Sequence, residues 1–276
     1  DFILGYLNQL LEKRKDLRVV ISSATLDAGR FSEFYRHAPV VQVEGRAFPV
    51  EDHFLPGTDN EELRYHVARA VEWISDLDDQ GDILIFLPGE REIRDCANLL
   101  EGRDFLNTEV LPVFARLSLQ QQQRVFQSSP RRRIVLATNV AETSITIPGI
   151  VYVVDSGLAR ISRFNPGRQV QRLQVEQISQ ASARQRRGRC GRVRDGVCVR
   201  LYDEYDLENA AEFTDPEIRR SSLAGVVLRM KALKLGDIRE FPFLDPPSPR
   251  AVAEGFRTLE EVGAIDSRQG ELTEVG

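Results

Sequence analysis

The chain has 276 residues, a formal net charge of −5 and 42% hydrophobic residues. This length and composition predict a soluble globular protein of about two domains, each able to bury a core. An acidic total excludes a basic field over the whole protein, so a polyanion would have to bind in a local groove. Cys96, Cys190 and Cys198 lack metal-ligand spacing, which argues against a disulfide framework and favours the cytoplasm. No apolar run in the sequence approaches the length of about 20 residues that spans a bilayer.

The N-terminal part of the sequence contains one helical pattern and two strand-like runs. Apolar residues recur at helical spacing over residues 2–11, and short apolar runs follow at 18–23 and 40–44. The sequence begins without Met inside the helical pattern and stops at ELTEVG, so we interpret the chain as part of a longer protein.

The middle of the sequence alternates short apolar runs with amphipathic stretches. Strands are predicted at 82–87, 109–114, 132–138 and 151–157, and helices at 60–76, 90–100 and 119–127. Nearly continuous Val and Ile runs separated by helices predict an α/β fold, a parallel sheet with helices on both faces. Ligands of such sheets bind at loops beyond the carboxyl ends of the strands.

Two later segments depart from this alternation. Residues 158–179 have strand-like arms around Asn165-Pro166-Gly167, which predicts a β-hairpin. The arginines of this hairpin favour a role in which it faces nucleic acid, and the alternative is a purely structural or solvated hairpin. These arginines are Arg160, Arg163, Arg168 and Arg172. After the apolar run at 197–202 come short helices, one of them capped at Ser248-Pro249, and a small wing at 264–273. This tail suits a winged-helix domain.

Residues 180–196, QASARQRRGRCGRVRDG, concentrate arginines in an acidic chain. If residues 183–193 form a helix, Gln185, Arg189 and Arg192 share one face. Arg186 and Arg187 then point elsewhere. One amide and two guanidinium groups suit a phosphate chain, and Gly188 on the flank leaves room for it. The alternative is a solvated helix whose arginines pair with Asp and Glu.

Polar side chains follow two of the predicted strands. Beside exposed backbone N–H groups, such side chains can hold phosphates. After the strand at 132–138 these residues are Thr138, Asn139, Glu142, Thr143, Ser144 and Thr146, and after the run at 18–23 they include Ser23 and Thr25.

Taken in order, these segments resemble the motifs of DEAH-box helicases of superfamily 2, ATP-dependent enzymes, and are most similar to bacterial HrpA-type RNA helicases. Ser23-Ala24-Thr25 resembles motif III, and residues 83–89 with Glu92-Ile93 resemble motif IV. Residues 137–144 resemble motif V, residues 185–192 resemble motif VI, and residues 117–126 resemble a further family motif. The resemblance covers essentially the whole chain. It implies the end of a first RecA-like domain at 1–48, a second RecA-like domain at 49–204 and a winged-helix region at 205–276.

In this family ATP binds between the two RecA-like domains. The resemblance implies that Gln185 orients the γ-phosphate or the attacking water, and that Arg189 and Arg192 are arginine fingers. It also implies that Phe126 stacks on adenine and that Ser144 and Thr146 lie near the ribose.

The resemblance further implies contacts with RNA and a coupling element. Gly89, Thr138, Asn139 and Thr143 would contact the sugar-phosphate backbone, whereas Ser23 and Thr25 would couple the ATP state to strand movement. The sequence contains no GxxxxGK[ST] loop and no DEAH tetrapeptide, so the ligands of Mg²⁺ would lie in the first domain and the chain alone is expected to be inactive. The alternatives are a nucleic-acid-binding module with vestigial ATPase features and a DNA-directed helicase.

Overall fold

The computed structural model describes residues 1–22, 27–43, 48–58, 60–77, 80–103, 105–114, 116–117, 119–165, 169–266 and 270–276. The chain forms two compact units. The sheet unit contains residues 43–161 and 175–214, and the helical unit contains residues 1–42, 162–174 and 215–276.

The elements of the described residues are as follows. The helices are α1 (Phe2–Lys13), α2 (Ala28–Phe34), α3 (Leu63–Leu77), α4 (Glu90–Glu101), α5 (Leu119–Arg124), α6 (Val140–Thr143), α7 (Gln180–Arg187), α8 (Glu204–Glu208), α9 (Glu217–Arg220), α10 (Ala224–Ala232) and α11 (Pro249–Glu261). The strands are β1 (Val50–Phe54), β2 (Asp82–Phe86), β3 (Thr108–Val113), β4 (Arg132–Ala137), β5 (Ile150–Asp155), β6 (Leu158–Asn165), β7 (Val170–Gln177) and β8 (Gly196–Arg200).

Six strands of the sheet unit form one parallel sheet in the order β1-β8-β5-β2-β4-β3. The four strands predicted in the middle of the sequence are confirmed as β2 to β5. All six residues of β5 are buried, which explains its unbroken apolar run, because a central parallel strand is covered on both faces. The predicted α/β fold is therefore confirmed.

Each face of the sheet has its own core, because successive side chains of a strand point to opposite faces. On one face Ile83 and Ile85 pack with α3 and α4, whose buried residues include Val71 and Ile93. Leu84 belongs to the other core, together with residues of β3, β4, α6 and the segment after α5. The carboxyl ends of β2, β4 and β5 therefore open between two layers of helices and loops.

Two predicted strands are not found. The described parts of 18–23 and 40–44 have no regular structure, and all of their residues except the half-buried Val19 are exposed, Val20 to 91%. A strand requires a neighbour for its backbone hydrogen bonds, and the described residues offer no sheet partner to either run. The sequence patterns also missed β1, an edge strand with three consecutive polar residues, Glu51 to His53, which pairs with β8 far along the chain.

The helical unit packs α1 against the C-terminal helices. Phe2 of α1 stacks on Phe241 with ring centroids 5.8 Å apart, and both rings belong to a core shared with α10 and α11. The predicted cap of α11 is confirmed, since the Ser248 hydroxyl accepts a hydrogen bond from the Ala251 amide at 3.2 Å. In the predicted wing, Ile265 and Leu272 form an antiparallel bridge.

The predicted hairpin is confirmed as β6 and β7, which pair with each other in a two-stranded sheet. Most residues of β7 are exposed. Pro166, Gly167 and Arg168, at the predicted turn, lie outside the described residues.

Candidate nucleotide and nucleic-acid site

The arginine segment, residues 184–194, begins on a helix but does not remain helical. α7 ends at Arg187, so the helix predicted over 183–193 is wrong in its second half. Gly191 contributes to the break, because its φ of +70° lies in the left-handed region that favours glycine. The Phe48 amide donates a hydrogen bond to the Gly191 carbonyl at 2.8 Å, and a Cβ on Gly191 would lie 2.8 Å from the Phe48 carbonyl oxygen. The turn thus lets the segment meet the chain just before β1.

The three residues predicted to share a helix face are consequently held in different ways. Gln185 is half-buried in the last turn of α7, whereas Arg189 and Arg192 lie beyond the end of the helix. Gly188 is the C-cap of α7, so it ends the helix and is not part of a helix face. The two arginines nevertheless interact electrostatically, since the charge of Arg192 acts on Arg189.

Arg189 is tied to the loop that follows β4. Its guanidinium donates a hydrogen bond to the Ile145 carbonyl at 2.9 Å and another to the Glu142 carbonyl. The residue is 9% exposed, and burial together with the nearby charge of Arg192 lowers the pKa of Arg189. Among the described residues, no carboxylate forms an ion pair with this guanidinium. Its guanidinium is held by neutral acceptors, and the nearby Glu142 carboxylate, which acts on its charge, is ion-paired with Arg186 instead.

Arg192 is exposed and is restrained by one backbone contact. Its Nε donates a hydrogen bond to the Gly188 carbonyl at 3.0 Å. Since its charge acts on Arg189, the two guanidinium groups form a pair of neighbouring cations, which we call the open pair. Within the described ranges Arg192, like Arg189, has no ion pair with a carboxylate. The side of the segment that carries Arg192 can therefore accept an anion.

Arg186, in the same segment, is fully buried and has two carboxylate partners. Its Nη1 lies 2.7 Å from Asp155 and its Nε lies 2.7 Å from Glu142, with the Phe86 ring centroid 5.0 Å from the guanidinium carbon. Burial alone would lower the pKa of Arg186, but the two carboxylates outweigh burial and raise it. Arg186 therefore anchors α7 to the sheet.

The ion pair of Arg186 extends into a larger cluster. Asp155 also lies 3.4 Å from Arg200 and accepts a hydrogen bond from the Tyr202 hydroxyl at 2.8 Å. Arg200 and Arg187 both contact Asp52, at 2.9 and 2.6 Å. We call Arg186 with these residues and Glu142 the anchored cluster. This cluster joins β1, β5, β8, α6 and α7. The sequence patterns did not predict it, although a charged residue at the end of each of two apolar strands, Asp155 in β5 and Arg200 in β8, was a signal in the sequence.

The loop after β4 carries most of the other predicted site residues. Thr138 is half-buried directly after the strand, and Asn139 is exposed and is the N-cap residue of α6. Thr143, Ser144 and Thr146 are exposed. Glu142 does not face the same way, because its carboxylate binds Arg186 and accepts a hydrogen bond from the Ser182 hydroxyl at 2.7 Å.

Gly89 follows β2 and is the N-cap residue of α4, but side chains cover it. A Cβ on Gly89 would lie 2.8 Å from the Arg160 guanidinium carbon and 2.8 Å from the Glu92 Oε2. Arg160 and Glu92 form an ion pair at 3.4 Å, so these two side chains lie over the glycine. These two side chains limit access to Gly89.

Phe126 lies two residues after α5, with its side chain 44% exposed. The neighbouring Val125 is buried in the sheet core, which leaves the Phe126 ring as the accessible part of this segment. Ser23 and Thr25 lie outside the described residues.

The described residues contain no group of three or more His, Cys, Asp or Glu that could hold a metal ion. None of the helices in these ranges is long and apolar enough to cross a membrane.

Comparison with known proteins shows which proteins this chain resembles. The family described as Helicase conserved C-terminal domain matches residues 66–194. The chain is 54% identical to the ATP-dependent RNA helicase HrpA of Escherichia coli (strain K12) over 271 residues, 96% of this chain and 21% of that protein. It is 52% identical to the HrpA homolog of Haemophilus influenzae over 285 residues, all of this chain and 22% of that protein. Over its whole length the chain is thus similar to HrpA-type ATP-dependent RNA helicases, and over residues 66–194 it matches the helicase C-terminal domain.

A solved structure supports the same assignment for the fold. The crystal structure of the Escherichia coli DEAH/RHA helicase HrpB has a TM-score of 0.91 and 35% sequence identity, covering 99% of this chain and 35% of that chain. The RecA-like fold implied by the DEAH-box motifs is therefore confirmed. The chain spans about a fifth of the length of the curated HrpA relatives.

Proposed function

We propose that this chain is the part of an ATP-dependent RNA helicase that completes the ATP site from the second RecA-like domain and contacts the RNA backbone. The observation that carries the proposal is the open pair. Two neighbouring guanidinium groups repel each other unless an anion joins them, and forked N–H donors match phosphate oxygens well. The carbonyl contacts of Arg189 hold its fork in place before any ligand arrives.

Catalysis at this site requires a triphosphate presented by the first RecA-like domain, which would also hold Mg²⁺. Arg189 and Arg192 would stabilise the charge that develops on the transferred phosphoryl group, as arginine fingers do. Gln185, in the last turn of α7, would orient the γ-phosphate or the attacking water. The anchored cluster would hold α7 rigidly during this step.

The nucleoside end of ATP would lie against exposed residues of the same unit. The exposed ring of Phe126 offers a stacking surface for adenine. Ser144 and Thr146 present hydroxyl groups that can hydrogen-bond ribose oxygens.

RNA would bind along the carboxyl ends of β2 and β4. Thr138, Asn139 and Thr143 would donate hydrogen bonds to its sugar-phosphate backbone, and Gly89 would join them once Arg160 and Glu92 move aside. Such contacts carry little sequence information, as a translocating enzyme requires.

The remaining assignments follow the same family pattern. Residues 1–48 would be the end of the first RecA-like domain, with Ser23 and Thr25 as coupling residues, and residues 205–276 would form the winged-helix region. The helices α10 and α11 and the Ile265–Leu272 bridge support that region. The three cysteines are free and buried, which suits a cytoplasmic protein.

RNA-stimulated ATP hydrolysis by the full-length protein tests the proposal. We expect Asn139→Ala to raise the RNA concentration for half-maximal stimulation about tenfold, because a hydrogen bond to a charged group is lost. Asn98→Ala, an exposed asparagine on α4, is the matched control and should behave as the wild type. Salt-dependent RNA binding without any ATPase activity would instead identify a binding module, and equal stimulation by matched DNA would identify a motor without RNA preference.

A further inference from the structure

Arg133 of β4 is a buried charge that plays no part in the site described above. Only 6% of its side chain is exposed. Its Nη1 donates hydrogen bonds to the carbonyls of Val125 at 2.8 Å and Gln127 at 2.9 Å. Its Nη2 donates to the Pro148 carbonyl and the Asp82 carboxylate, both at 2.6 Å, and its Nε donates to the same carboxylate at 3.0 Å. All five guanidinium N–H donors are therefore used.

The carbonyls that Arg133 binds flank residues of the proposed nucleoside subsite. Val125 and Gln127 are the residues on either side of Phe126, so one guanidinium nitrogen holds the backbone on both sides of the aromatic ring. Pro148 lies two residues after Thr146. A single side chain thus joins the segment proposed to stack on the base with the segment proposed to contact the ribose.

The position of Arg133 is itself fixed by the sheet. The Asp82 carboxylate at the start of β2 accepts two side-chain hydrogen bonds from Arg133 and a third from its backbone amide at 2.7 Å. Gly149 has a φ of +84°, and a Cβ there would lie 2.7 Å from the Asp82 Oδ2. A side chain at position 149 would collide with the Asp82 carboxylate that binds Arg133, so this position requires glycine.

We propose that Arg133, held by Asp82, is a positioning residue for the nucleotide-base subsite. It has no contact with ATP; it sets the backbone that orients the Phe126 ring next to the 146–148 segment. This inference rests on the proposed function, in which Phe126 stacks on adenine. Lysine cannot replace Arg133, because one ammonium group cannot span three carbonyls and a carboxylate in the directions of a planar fork.

Steady-state kinetics of the full-length protein with Arg133→Lys tests the inference. We expect the KM for ATP to rise about tenfold while kcat at saturating ATP changes less than about twofold, since the phosphate end of the site is untouched. Arg69→Lys is the matched control, because Arg69 also joins a carboxylate, Glu61, to a loop carbonyl, that of Pro56. It should keep the wild-type KM. Asp82→Asn provides a second variant, with a smaller rise in KM, if Arg133→Lys does not fold.

A double-mutant cycle with Phe126→Ala distinguishes positioning from general loss of structure. If Arg133 acts through the ring, Arg133→Lys should change the KM less than about twofold in the Phe126→Ala background. An unchanged KM in the folded single variants at Arg133 and Asp82, or a full tenfold rise in that background, would overturn the inference while leaving the base subsite intact. A wild-type KM for Phe126→Ala itself would remove the base subsite and the inference together.

Discussion

The arginine segment contains two regions with opposite electrostatic character. In the anchored cluster Arg186 is fully buried, and its charge is matched by Asp155 and Glu142. In the open pair Arg189 and Arg192 contact backbone carbonyls and form no direct ion pair with a carboxylate among the described residues. A guanidinium already paired with carboxylates stabilises the fold, whereas one fixed by neutral acceptors keeps its charge for a ligand.

The largest expected effect belongs to the open pair. Arg189→Ala and Arg192→Ala should each reduce the ATPase turnover of the full-length protein by at least about 10³-fold, because an arginine finger contributes that much to phosphoryl transfer. Arg184→Ala, an exposed position on α7, is the control and should retain turnover. Near-normal turnover in both variants of the pair would show that these residues are not arginine fingers.

Substitutions in the anchored cluster should lower the stability of α7. Arg186→Met leaves two buried carboxylates without their partner, so we expect the opening free energy of α7 to fall by about 3–5 kcal/mol. Native-state hydrogen exchange of α7 amides in the full-length protein measures this quantity. Arg192→Ala should leave the same amides as protected as in the wild type. A similar loss of protection in both variants would erase the distinction between the two regions.

A smaller effect tests whether Cys190 is shielded from solvent, like Arg186 in the anchored cluster, or accessible to it, like Arg192 in the open pair. Burial raises the pKa of the Cys190 thiol to about 12. In the unfolded chain a thiol loses its proton at about pH 8.5, so above that pH the unfolded state binds fewer protons and the unfolding free energy falls as pH rises. The decline is at most about 1.4 kcal/mol per pH unit for one thiol and ends at the folded-state pKa.

Comparison with Cys190→Ala isolates this contribution. Amide exchange around residue 190 at pH 8 and pH 10 should show a shallower loss of stability in the variant than in the wild type, because the variant has no thiol to ionise. If stability falls equally with pH in the wild type and in the variant, the Cys190 thiol is in contact with solvent, as Arg192 of the open pair is.

Local sequence patterns predicted those helices and strands whose apolar residues follow the period of a helix or the unbroken run of a buried strand. β5 was predictable because a central parallel strand is apolar along its whole length. The cap at Ser248 was predictable because it depends on an amide only three residues away. The order of polar segments after the strands indicated a resemblance to DEAH-box helicases, and the comparisons confirm this resemblance.

Other features depended on residues distant in sequence. α7 ends where it does in part because Gly191 meets Phe48, and no pattern within 183–193 contains that contact. The run at 18–23 has the composition of a strand but no sheet partner among the described residues, so its pattern alone was insufficient.

The sequence by itself predicted strands β2 to β5, the longer helices of the sheet unit and the resemblance to DEAH-box helicases, because apolar periodicity and motif order are local properties. Only the tertiary structure decided which arginines are neutralised. Arg186 and Arg192 have identical side chains in one short segment, and they differ because the fold brings Asp155 and Glu142 to the first and no described carboxylate to the second. The electrostatic role of a charged side chain is set by its neighbours in space.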